Sequence, residues 1–228
     1  MLRSSYLARA YSTLKAQSCQ EYLTHCQKAT ISLSSRVFQG TFYEFQAKEA
    51  LERHLHLSGL ARVGGAGDNG IDLLGRWDLR CFQNPSSSAD SPAQMPCDAS
   101  GEVPVLIQCK NHATKIKPSV IRELAGVHEY HVNGSLKSVV PTFMFLVSPL
   151  ALTKRAQVQM DTSQVPLIHV RISPMTRETS VRAEDAFLVL NWRNYTFGPA
   201  YMNNTARTLL LGLLVEKHHV FARGQPLD

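Results

Sequence analysis

The segment 139–147 constrains this chain most. It is nearly continuous apolar over the length of a strand, so as a strand it has no face to offer water. A strand hidden on both faces needs a covering layer on each side. The flanking periodicity supplies such layers. The spacing predicts a helix over 38–57, in which Glu44, Ala47, Leu51 and Leu55 recur on one core-facing line. Gln46, Lys48, Glu49, Glu52 and Arg53 make up its polar face. Strands are read over 71–79, 103–110 and 167–172. Pro118 suits the first turn of a helix, continued by Val120, Leu124, Val127 and His131, and a short helix is read over 153–161. The resulting order predicts an α/β fold: a mixed β-sheet flanked by helices. Residues 174–228 are expected as a C-terminal extension packed on that core, with strand or helix over 186–192 and a helix over 202–218.

Composition removes several classes. Of 228 residues, 44% are hydrophobic and 18% charged, too apolar a mixture for a disordered chain. The strongest apolar run, 209–215, is seven residues long, so no membrane span is expected. Five cysteines without a C-x-x-C pair argue against a disulfide framework and a structural zinc site.

Net charge is +6, yet most of it belongs to the first 36 residues, where Arg3, Arg9, Lys15, Lys28 and Arg36 face Glu21 alone. Arginine, serine and threonine with almost no acid resemble a mitochondrial presequence. Leu2, Tyr6, Leu7, Ala10, Tyr11 and Leu14 fill about half a helical wheel, and Arg9-Ala10-Tyr11-Ser12 is similar to a matrix-peptidase site. Residues 1–35 are therefore set apart from the fold as a presequence, implying the mitochondrial matrix. The core is expected over 36–173, interrupted by a Ser/Pro-rich insert at 81–102.

Gly65-x-Gly67-x-x-Gly70 satisfies the dinucleotide pattern literally. That fingerprint needs a strand before it and a helix after it; here the order is reversed, so the match is discarded. Three other pieces carry chemistry: Glu44 on the inward helix line, Asp72 early in one strand, and Gln108-Cys109-Lys110 at the end of the next. Alternate strand residues share a face, so Gln108 and Lys110 point one way, about 6.6 Å apart, and Cys109 the other. Pairing of the two strands would bring a carboxylate, an amide oxygen and an ammonium around one point. Phosphodiester hydrolysis uses such a set: a hard cation on few carboxylates and a cation beside the charge that builds on phosphorus.

At Tyr43-Glu44-Phe45, Gly67-Asp68-Asn69-Gly70-Ile71-Asp72-Leu73-Leu74 and Ile107-Gln108-Cys109-Lys110 the sequence resembles the PD-(D/E)XK nuclease superfamily, in particular its Mrr-like restriction endonucleases. The resemblance implies a restriction-endonuclease-like fold over about 38–172 and a Mg²⁺- or Mn²⁺-dependent DNA endonuclease acting as a homodimer. By position it makes Asp72 the principal metal ligand, Gln108 the second, the Cys109 main-chain carbonyl a third, Lys110 the catalytic lysine and Glu44 the supporting acid. Together with the N-terminus, the core also resembles the fungal required-for-respiratory-growth protein seven family. This implies a role in mitochondrial DNA maintenance and respiratory growth.

Two departures stand out. Gln108 replaces the commoner acid and removes one negative charge, so metal should bind more weakly. The insert at 81–102 separates the two motif strands and should lie at their far ends. Lys115 and Lys117, just before a helix start, are the first candidates for phosphate contact, with Arg122, Lys154 and Arg155 next. Two other readings share the fold. One is a nucleic-acid-binding relative without catalysis; the other is a mitochondrial interaction or assembly factor working through 174–228.

Overall fold

The structure is a computed structural model, which describes residues 15–65, 69–82, 97–133, 140–210 and 213. The presequence features at 1–14, Gly67 and Asp68 of the glycine-rich turn, most of the insert and most of the leucine run lie outside the described residues.

The first element is helix α1 (Cys19–Lys28), capped by the Ser18 side chain, which accepts from the Glu21 N–H. Helix α2 (Arg36–Leu55) follows, capped by Ser35. Strand β1 (Leu57–Arg62) precedes β2 (Leu73–Asp78) and β3 (Glu102–Cys109). Helix α3 (Pro118–Asn133), β4 (Phe143–Ser148), helix α4 (Lys154–Asp161) and β5 (Leu167–Ile172) complete the predicted core. Beyond it come a two-residue pair, β6 (Thr176–Arg177) and β7 (Trp192–Arg193), then β8 (Phe197–Met202) and helix α5 (Asn204–Leu209).

The main sheet has six strands in the order β1-β2-β3-β4-β5-β8. β3, β4 and β5 are mutually parallel, and the other pairings are antiparallel. The predicted mixed α/β architecture is the observed one. All six residues of β4 are buried. One face, through Phe143, Phe145 and Val147, joins the cluster under α2 with Trp77, Leu51 and Leu55. The other, through Met144 and Leu146, packs on Ile121 and Leu124 of α3 and on Ala156 and Met160 of α4. The strand begins later than expected because Pro141, which has no N–H to give a sheet ladder, lies just before it.

Three expectations are corrected. Residues 15–35 are part of the fold: Cys19, Tyr22, Leu23 and Cys26 are buried against Phe38, Phe42 and Phe45 of α2. The polar line of α2 is therefore not a plain solvent face. Glu49 accepts from the Cys19 N–H at 2.8 Å, and Lys48 Nζ donates to the Gln17 carbonyl at 3.2 Å. Second, α2 stops at Leu55, because His56 adopts a left-handed conformation (φ 56°), and the freed chain forms the unpredicted β1. Third, the extension expected to pack on the core from residue 174 onward also enters the sheet, since β8 is its sixth strand. Residues 184–191 are two short 3-10 turns, Glu184–Phe187 and Val189–Asn191, and the described part of the last helix covers only 204–209.

Candidate active site at the carboxyl ends of the parallel strands

β2 and β3 pair antiparallel from Leu73↔Ile107 to Asp78↔Glu102. Asp72 therefore enters the sheet at the end where β3 exits, and β2 ends beside the start of β3 at the opposite end. The Asp72 backbone is held from both sides. The Asp72 N–H donates to the Ile107 carbonyl at 3.0 Å, and its carbonyl accepts from Val63 and Gly64 at 2.8 and 3.0 Å. Its carboxylate Oδ2 accepts from the Cys109 N–H at 2.7 Å. A strand residue's N–H and C=O leave on the same edge, so the Cys109 carbonyl, the expected third ligand, faces the Asp72 edge.

Glu44 reaches the same corner from α2. A Cβ built on Gly64 would lie 3.1 Å from Glu44 Oε2 and 3.2 Å from Asp72 Oδ1, so the two carboxylates converge over a position where any side chain would crowd them. Glu44 is held by Arg62, whose Nε donates to its Oε2 at 2.5 Å. The guanidinium in turn lies over the Phe45 ring, 5.7 Å from its centroid. The Cys109 thiol points toward the α2 side, as the alternation predicted. Burial pushes its pKa well up, and the charges of Asp72 and Glu44 push it further, against a smaller opposing effect of Arg62. The thiol is therefore neutral and is no nucleophile.

Gln108 and Lys110 occupy the other face, beneath α3. Gln108 is 5% exposed. Its Nε2 donates to Glu123 Oε1 at 3.4 Å, and Lys110 Nζ donates to the same oxygen at 3.0 Å. Gln108 Oε1 is buried with no hydrogen-bond partner among the described residues. Such an acceptor is costly unless something else engages it. Gly70 makes this corner possible: its φ is +82°, and a Cβ there would meet Val127 Cγ2 at 2.7 Å.

The structure thus gathers the sequence candidates into two half-sites joined by the end of β3. Glu44, Asp72 and Cys109 form one, Gln108 and Lys110 the other. Two residues escape the sequence reading. Arg62 lies in the strand that the periodicity does not show. Glu123 is the only acid between residues 103 and 128, and that isolation, on the helix after the motif strand, is the signal that could have found it. Among the described residues no group of three or more His, Cys, Asp or Glu side chains forms a ready-made metal cluster.

Lys115, Lys117 and Arg122 are all exposed. Ile116, between the two lysines, is buried and bridges Leu152. The Ile116 N–H donates to the Ala151 carbonyl at 3.1 Å, and the Thr153 N–H returns to the Ile116 carbonyl at 2.9 Å. This clamp sets both lysines beside exposed Lys154 and Arg155 at the start of α4. The stretches 110–122 and 149–160 hold no Asp or Glu, so along them the charge is positive, with Glu123 on Lys110 as the neighbouring acid. Ligands of open α/β sheets gather at this end of the strands. No described helix is long and apolar enough to cross a membrane.

Comparison with known proteins gives no matching solved structure. A Vanderwaltozyma polyspora protein named "Required for respiratory growth protein 7, mitochondrial" is 30% identical over 164 residues, covering 61% of this chain and 65% of its own length. A protein of the same name from Eremothecium gossypii is 29% identical over 213 residues, 85% of this chain and 87% of that one. One from Saccharomyces cerevisiae is 27% identical over 198 residues, 77% of this chain and 79% of that one. The family model described as Required for respiratory growth protein 7 matches residues 35–210, a span that contains every candidate residue above, and the chain belongs to that family.

Proposed function

We propose that this chain is a metal-dependent nuclease that hydrolyses DNA phosphodiester bonds in the mitochondrial matrix, where it serves mitochondrial DNA maintenance and respiratory growth. The location and the respiratory role rest on the names of its relatives and on the composition of its N-terminus. The hydrolytic reading rests on one observation above the rest. The buried Oε1 of Gln108 finds no hydrogen-bond partner among the described residues, at the same strand end where Asp72 is anchored on the Cys109 peptide and Lys110 on Glu123. The resemblance to PD-(D/E)XK nucleases at the same residues supports it.

The donors fit Mg²⁺ or Mn²⁺, which need only one or two protein carboxylates and otherwise keep their waters. Asp72, Gln108 Oε1 and the Cys109 carbonyl would hold the ion, which would supply Lewis acidity toward a phosphate oxygen and toward water. The protein's own groups do the rest. The Cys109 N–H fixes the Asp72 carboxylate in place. Lys110 brings an ammonium to the oxygens on which charge builds, or orients the attacking water. Glu123 holds that ammonium on the Gln108 side, and Arg62 keeps Glu44 turned into the corner. The exposed lysine rim is placed to carry the flanking phosphates.

A specific observation favours a second reading, a nucleic-acid-binding relative without catalysis: Arg62 neutralises Glu44, while Gln108 stands where the nuclease pattern more often has an acid. One experiment separates the two. The full chain is incubated with duplex, nicked and branched DNA and Mg²⁺ or Mn²⁺, with Lys110→Ala alongside. Cleavage that disappears in the variant supports hydrolysis. Salt-sensitive binding without cleavage on any substrate supports the second reading.

A further inference from the structure

A groove of about 600 Å³ opens at the same sheet end, next to the candidate site. Its floor follows Lys110 directly, through Asn111, His112 and Ala113, and its far side is Pro149 and Leu150, just beyond β4. We infer that this groove receives an unpaired nucleobase adjacent to the scissile phosphate, so that the substrate is single-stranded or frayed at that point. The inference rests on the nucleic-acid reading above and names its substrate class.

Four aromatic rings line the groove, and three of them, Phe38, Phe42 and Tyr43, are buried behind it. Trp192 is the half-buried one. Its ring is fixed on three sides. Phe42 packs 4.6 Å away at 56°, Phe38 packs 5.6 Å away at 48°, and the indole N–H donates to the Ala186 carbonyl at 2.9 Å. An immobilised indole face offers stacking without further ordering, and every base has a π-face to match it. Exposed Gln39, Asn111 and His112 supply amide and imidazole edges suited to base edges, while the lysine rim lies on the phosphate side. The remaining wall is rigid. Gln46, 1% exposed, donates to the Ser173 carbonyl at 2.7 Å and accepts from Met175 at 2.8 Å, and Ser148 donates to the Leu150 carbonyl at 2.9 Å. A paired base inside a duplex cannot reach this groove without leaving its stack.

The test is binding, without divalent metal, of the full chain to a fluorescent single-stranded oligonucleotide, to the same sequence as duplex, and to a single strand carrying 2-aminopurine. The expected result is tighter binding of the single strand, with quenching of the 2-aminopurine. Two variants should lower that preference about tenfold and leave duplex affinity unchanged: Trp192→Ala, which removes the platform, and Ala113→Phe, which fills the mouth from an exposed position. Trp192→Phe should retain most of it. Equal affinity for paired and unpaired strands, or an unchanged preference in Ala113→Phe, would overturn the inference while leaving the nuclease reading intact. Preference without cleavage in the metal assay would overturn hydrolysis and leave the groove assigned. No binding of any nucleic acid would overturn both.

Discussion

Gly64 shows how much depends on single atoms here. A methyl group at that position would press on Glu44 and Asp72 at 3.1–3.2 Å, so Gly64→Ala should spread the two carboxylates. Metal-dependent cleavage should fall at least about tenfold, with little change in the thermal midpoint; equal activity in the variant would show that the two acids do not act together. Glu123→Gln keeps the shape of its side chain but removes the charge that holds Lys110. The pair is partly exposed, so the stability change should stay within about 0.5 kcal/mol, while the cleavage rate should drop about tenfold. Equal losses of rate and stability would instead mark Glu123 as a packing residue. His169 has a different task. It is 2% exposed and meets Ser148 Oγ at 2.7 Å. Because that hydroxyl donates to Leu150, the imidazole Nε2 donates to Ser148, and the pair is no nucleophile and base. Burial, aided by Arg171, lowers its pKa from 6.5 to about 3. Between those values the unfolded chain binds a proton that the folded chain refuses. Stability therefore rises with pH across this window: it is fully present above about pH 6.5 and is lost toward pH 3, by up to about 1.4 kcal/mol per unit from this group. His169→Asn should flatten that dependence in urea titrations at about pH 7 and about pH 4.5; parallel slopes in the two proteins would contradict the assignment.

At the scale of elements, α1 carries the clearest prediction. Its buried face, Cys19, Tyr22, Leu23 and Cys26, covers Phe38, Phe42 and Phe45. Removing residues 1–29 would expose these rings and strand Glu49. Such a truncation should lower the unfolding free energy by several kcal/mol, counting about 1.5–3 kcal/mol for each large apolar side chain returned to water. Removing residues 1–14 should leave that cluster intact. Comparing denaturant midpoints of the two truncations checks this, and equal midpoints would refute it. The same helix shows where the sequence stops being legible. The positive charge and hydroxyl-rich composition of the first 36 residues read as a presequence, but burial is decided by where Tyr22 and Leu23 land on α2, which composition does not encode. β1 is hidden for a local reason: Gly59 and a register shift between Ser58 and Ala61 break the alternation that reveals a strand. β4, α3 and the β2–β3 pair are readable because their patterns match their periods, continuous apolar for a strand covered on both faces and Leu124 on a helical line. The candidate site is readable through Glu44, Asp72, Gln108 and Lys110. Arg62 and Glu123 are not, since each meets its partner across the fold rather than along the chain.

Across the whole molecule, charge and topology concentrate at one end of the sheet. Lys110, Lys115, Lys117, Arg122, Lys154 and Arg155 flank the site with no acid in their two stretches, although the chain beyond residue 36 is only mildly basic. Nucleic-acid affinity should accordingly be modest and salt-sensitive. Lys115→Glu with Lys117→Glu should weaken DNA binding about tenfold or more and reduce the salt slope by roughly 1 for each phosphate no longer neutralised; an unchanged slope would place the binding face elsewhere. The fold itself should tolerate both changes, because the backbone there is held by Ile116 against Leu152. On the proposed function, the end of β3, with Asp72 beside it, acts as a hydrolytic metal site. The most direct measurement is the cleavage rate of the full chain on DNA substrates with Mg²⁺ or Mn²⁺, compared with Lys110→Ala and Asp72→Asn at matched thermal midpoints. Metal-dependent cleavage is expected in the natural sequence, with its loss in both variants. Cleavage at an unchanged rate in either variant, or none from the folded natural chain on any substrate, would contradict it.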